Sequence, residues 1–143
     1  MTELSPGMDQ RDFTDYIVAK FLEAFPRMTQ YTVDDHFDVG YLELASSNEK
    51  LKILVSTRDM MLTIGFSAGP GLFGWHRHMP ENKSLNEQMR EASTIIREIT
   101  HCKKGIVYSS VLGYFPGDLE DLENIRKHRE EGEIIELGWW RDF

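Results

Sequence analysis

The sequence predicts one α+β domain: a single, mostly antiparallel sheet with helices packed on it, in the order α-β-β-β-α-β-α-β. Three observations carry this. Three stretches repeat apolar residues at helical spacing. Five short stretches alternate or are richly apolar, and polar turns separate the first three. The 143 residues, 41% of them hydrophobic, suffice for one core and leave no room for two ordinary domains.

Residues 1–8, with Ser5, Pro6 and Gly7, read as a flexible leader, and the domain is expected over 9–143. From Asp9, Phe13, Ile17, Phe21 and Ala24 form one stripe, with Tyr16 beside it. Asp9 can cap that helix and Pro26 stops it. Three strands are predicted next, over Phe37–Leu44, Leu51–Val55 and Met60–Phe66, joined at Ser46–Lys50 and at Arg58-Asp59. Residues 67–83, with Gly69, Pro70, Gly71, Gly74 and Pro80, form the least regular stretch. Ser84-Leu85-Asn86-Glu87 is a capping box opening a second helix. Its core stripe is Leu85, Met89, Ala92, Ile96 and Ile99, and Gly105 suits its C-terminal cap. A strand over Ile106–Leu112, a turn at Phe115-Pro116-Gly117, a helix over Asp118–Glu131 and a strand over Glu133–Trp140 complete the chain. Leu119, Leu122 and Ile125 should face inward from the third helix. Leu62, Ile64, Phe66, Leu85, Met89, Ile96 and Leu122 should share one core.

Net charge is −8, from 24 acids against 16 bases. Binding a nucleic-acid backbone needs Lys and Arg to displace counterions, so nucleic acid is not an expected partner. An anionic membrane surface is disfavoured for the same reason. A basic protein partner is the better electrostatic match. The single cysteine, Cys102, forms no internal disulfide. The first residues lack the basic and apolar segments of a signal peptide, and no apolar run is long enough to span a membrane. A cytoplasmic setting is therefore expected.

Chemistry-bearing motifs are few. Gly69-x-Gly71-x-x-Gly74 has dinucleotide-fingerprint spacing but does not open a helix, and Pro70 removes a backbone donor. A structural turn is the simpler reading. His76 and His78 would share one side of an extended segment, where two imidazoles can begin a Zn²⁺ or Fe²⁺ site. A full site needs further ligands from His36, Asp35, Asp38, His101 or His128, and nothing in the sequence places these nearby. Cys102 and His101 are helix neighbours about 100° apart and make a poor nucleophile–base pair. No catalytic residue, bound metal or cofactor is expected.

Two features point to binding. Trp75 and Arg77 are residue types enriched at binding hot spots, and the irregular stretch could present them on a loop. Acids also cluster. Between Asp118 and Glu136 there are eight acids and three bases, and residues 31–49 hold five acids and no Lys or Arg. The acids at the start of the third helix serve its dipole, whereas Glu130, Glu131 and Glu133 lie beyond it. Asp34, Asp35 and Asp38 form the second expected cluster.

Gly74-Trp75-His76-Arg77-His78-Met79 after the third predicted strand, with Gly138-Trp139-Trp140 in the closing one, resembles small bacterial immunity proteins of polymorphic toxin systems. Met79 stands where that group's segment has an aromatic residue. The resemblance implies a cytoplasmic protein that neutralises a cognate toxin by binding it. Occlusion of a basic toxin active site by Asp34, Asp35, Asp38, Trp75, Arg77, Glu130, Glu131 and Glu133 is the leading expectation. The alternative is a small metal-binding protein or metal-dependent enzyme using His76 and His78. Association with a second copy of the chain is left open.

Overall fold

The structure, a computed structural model, describes residues 8–31 and 38–143. The fold is α+β and its sheets are antiparallel. Helix α1 spans Gln10–Ala24. Strands β1 to β5 follow at Thr29–Tyr31, Tyr41–Ala45, Lys52–Ser56, Thr63–Gly69 and Leu72–His78. Then come α2 (Leu85–Thr100), β6 (Ile106–Ser109), β7 (Gly113–Pro116), α3 (Leu119–Lys127) and β8 (Ile135–Gly138).

The strands form two sheets rather than the expected one: a meander β1-β2-β3-β4-β5, and a smaller sheet ordered β7-β6-β8. Side-chain alternation in β6 lets the smaller sheet serve two cores. Ile106 enters the main core with α1, α2 and the large sheet. Val107, its neighbour, faces the other way and packs with Leu122 of α3 and Ile135 of β8. Leu122 therefore belongs to this second cluster, not to the shared core. Leu62, Ile64, Phe66, Leu85 and Ile96 are buried in the main core, and Met89 packs against it half-buried. Leu119 is exposed, not inward.

Caps explain the helix starts. Asp9 accepts the Asp12 N–H at 2.9 Å, and Asp118 accepts that of Asp121 at 3.1 Å. Ser84 caps α2 as expected, although Glu87 reaches back to the Ser84 hydroxyl. At the end of α2 the left-handed residue is Cys102 (φ 57°), not Gly105. Gly105 answers a different need: a Cβ there would lie 2.8 Å from the Gly117 carbonyl oxygen.

Residues 67–83 are more regular than their glycines and prolines suggest. Much of the stretch is a β-hairpin, with Pro70-Gly71 as a two-residue turn between paired Gly69 and Leu72. Gly71 takes φ +69°, the left-handed conformation such a turn asks of its second residue. The hairpin carries a bulge. Gly65 pairs with His76 and Ser67 with Phe73, so three steps of β5 oppose two of β4. Phe73 thereby joins His76 on the face away from the main core, against the small cluster of Val39, Tyr41 and Leu54.

A polar network ties α1 to the meander. Thr57 Oγ1 accepts the Gly40 N–H at 2.8 Å and lies 2.7 Å from Thr14 Oγ1. Gln10 donates to the Thr57 carbonyl and accepts the Met60 N–H at 2.9 Å. Met60 and Asp59 both have positive φ, so Gln10 holds a turn whose backbone is otherwise unfavourable.

Candidate partner-binding site

The small sheet presents two turns side by side at one end. Three residues, Ser110-Val111-Leu112, join β6 to β7, and Gly113 at φ +84° completes the reversal. Glu130-Glu131-Gly132-Glu133 precedes β8. It is closed by the Glu133 N–H to the Glu130 carbonyl at 3.1 Å, with Gly132 at φ +79°. The two are joined through Ser110 and Ile134. The Ser110 N–H donates to the Ile134 carbonyl at 2.9 Å, and the Ile134 N–H donates to Ser110 Oγ at 2.9 Å.

Ser109 and Glu133 fix both turns. Ser109 Oγ, on a fully buried residue, accepts the N–H groups of Val111 and Leu112 at 3.1 and 3.0 Å. Its hydroxyl donates to Glu133 Oε2. The other oxygen of Glu133 accepts the Glu130 N–H at 2.9 Å. These two bonds, Ser109 first, hold the Glu133 carboxyl below its ordinary range, and nearby Arg129 assists.

What these turns display is apolar. Val111 is 53% exposed, Leu112 63% and Ile134 56%. Because the backbone of these turns is already fixed by hydrogen bonds, a partner that buries their apolar side chains need not order the turns, which suits them to anchoring. Glu130 and Glu131 are exposed on the adjacent turn, and no ion pair holds either among the described residues. The end of the small sheet therefore combines an apolar tip with free negative charge.

The other expected site residues do not gather there. Trp75 lies in a strand, not a loop; it is half-buried, with its ring centroid 5.7 Å from that of Phe66. Arg77 is bound to Glu91 of α2 at 2.8 Å and shares that carboxylate with Lys83. Asp38 is 3.8 Å from Arg11. Asp34 and Asp35 lie outside the described residues, as do His36 and residues 1–7 of the expected leader. Met8, the leader's last residue, packs against the main core. Glu133 is engaged internally, which leaves Glu130 and Glu131 as the free acids of their cluster.

His76 and His78 do share one face of β5, with ring centroids 5.1 Å apart. His78 Nδ1 is 2.7 Å from Thr63 Oγ1. Among the described residues no third His, Cys, Asp or Glu completes a metal-binding group. Nor is any helix among them long and apolar enough to cross a membrane.

No family model matches the chain, and neither a curated protein nor a solved structure matches it. The immunity-type resemblance of the two Trp-containing segments thus stands on those residues alone.

Val111, Leu112 and Ile134 are not apparent as site residues in the sequence, whose pattern puts the first two inside one strand and the third inside another. The available signal was the Ser109-Ser110 pair before them and Gly113 after them, a turn composition flanking two large apolar residues.

The scaffold's stability should depend on pH. Because the folded-state value of Glu133 is lowered, its contribution is complete above the ordinary value of 4.5 and is lost as pH falls through the lowered value. Glu133→Gln should therefore melt at a lower temperature than the unaltered protein at pH 7. That difference should shrink steadily below pH 4.5 in a series of thermal melts. A difference that is constant across the series would show that the carboxylate is not the stabilising group.

Proposed function

We propose that this chain is a protein-binding domain of the immunity type, which neutralises a cognate bacterial toxin in the cytoplasm by covering a basic active site. The observation that carries the reading is the end of the small sheet, where exposed Val111, Leu112 and Ile134 adjoin free Glu130 and Glu131. Apolar anchors supply contact area while the carboxylates attract and orient a basic surface. The net charge of −8 strengthens the long-range part of that attraction. The resemblance of the Trp75 and Trp139-Trp140 segments narrows the partner to a toxin.

The test is protection. Where a toxin-bearing reading frame lies beside the gene for this chain, that toxin is expressed in a bacterial host with and without the chain. The unaltered chain should restore growth, and a folded Leu112→Asp, Glu131→Lys double variant should not. Equal protection by both proteins would remove this surface from the mechanism. No protection by the unaltered chain would reject that toxin as partner.

A further inference from the structure

At the opposite ends of α1 and α2 from their capped starts lies a groove of about 560 Å³. Phe25, Leu44 and Trp140 are its large apolar components, and Arg27, His101 and Arg141 supply its polar and basic groups. Its volume falls within the roughly 300–1,000 Å³ of ordinary small-molecule sites.

The charge of this groove runs against that of the chain. The protein carries 24 acids and 16 bases, yet among the described residues no acid lines the groove. Four other surface cavities along the described residues each have at least one carboxylate in the wall. Arg27 and Arg141 are exposed, and neither has an ion pair or side-chain hydrogen bond among the described residues. Two guanidinium groups thus border an apolar surface with no side-chain partner among the described residues.

Helix ends moderate this charge. The C-termini of α1 at Ala24 and α2 at Thr100 both line the groove. Each contributes roughly −0.5 charge, which offsets part of the charge of the two Arg groups. That balance suits one carboxylate better than a phosphate dianion, and planar guanidinium groups match carboxylate geometry. We propose that the groove is a binding site for a small monoanionic carboxylate with an apolar body. The carboxylate would face Arg27 and Arg141, and the body would lie against Phe25, Leu44 and Trp140.

The probe is 2-naphthoate, titrated into the ¹⁵N-labelled protein and followed by amide NMR. Saturable shifts should centre on Ala45, Ser47, His101 and Arg141. The neutral isostere 2-naphthylmethanol should bind at least about tenfold more weakly, because it makes no charge-assisted bonds. Arg27→Gln and Arg141→Gln should each weaken naphthoate by about tenfold, and the same spectra report whether either variant is folded. Equal binding of acid and alcohol would overturn the proposal and leave an apolar depression without anion recognition. Inorganic phosphate binding as tightly as naphthoate, or shifts centred elsewhere, would also overturn it. So would the absence of saturable shifts up to about 10 mM, or an acidic aromatic peptide binding more than about tenfold tighter, which would mark a protein-docking groove.

Discussion

Gly65→Ala should destabilise the protein by more than about 3 kcal/mol, at or beyond the usual limit for overpacking. A Cβ at this position would lie 2.1 Å from the Trp75 carbonyl oxygen and 2.8 Å from the His76 Cα. Two of the obstructing groups are backbone, so no rotamer change relieves them. Strand β4 cannot move away because β3 pairs along its other edge. The β4–β5 bulge must open, and Phe73 must then leave the cluster of Tyr41 and Leu54. Gly74→Ala is the matched control. Its Cβ would meet only the Phe66 carbonyl oxygen at 3.7 Å and Ala68 Cβ at 4.0 Å, ordinary contacts. Urea denaturation of both variants reads the difference. A Gly65→Ala loss below about 1 kcal/mol, the size of an ordinary substitution, would mean that the bulge register is wrong.

The same bulge shows why part of this fold could be read from the sequence and part could not. Periodicity locates α1, α2 and β2 to β4 because each sets one face against the main core, and Tyr41 and Leu54 add apolar weight on the other face of β2 and β3. It failed for β5, whose alternation changes phase between Phe73 and His76. The glycines and prolines around β5 then suggested irregular chain, although Pro70-Gly71 is a hairpin turn. The split into two sheets is not legible because it depends on which strands pair, and apolar spacing within a strand does not encode its pairing partner. Leu119 fits the apolar spacing of α3 but occupies its first turn, beyond the reach of the small sheet's core.

Charge was harder to interpret than hydrophobicity. Composition locates acids but not their partners. Glu133 closes a turn and binds Ser109, Asp38 lies near Arg11, and Arg77 is bound to Glu91. Each pairing gives a local partner to a residue that sequence alone presents as unpaired. Conversely, the exposure of Val111, Leu112 and Ile134 depends on the bond pair between Ser110 and Ile134, which are 24 residues apart.

With a cognate basic partner in hand, the two halves of the binding surface should separate kinetically. Glu130→Lys and Glu131→Lys together should lower the association rate by about tenfold or more at low ionic strength. Raising the salt should shrink that deficit, because exposed charges are screened beyond about 8 Å near physiological ionic strength. Leu112→Asp should act mainly on dissociation, weakening the complex by about 100-fold, the effect of losing a central hot spot. All three side chains are exposed and none is placed in either core, so the variants should keep the unaltered protein's thermal transition. Surface-plasmon measurements across a salt series give both rates directly. A charge reversal that leaves the association rate unchanged at low salt would reduce Glu130 and Glu131 to solubilising residues. A Leu112→Asp complex as long-lived as the unaltered one would place the anchor elsewhere. Trp75→Ala provides the opposing case: its half-buried ring packs against Phe66, so its removal should lower the melting temperature before it reports on binding.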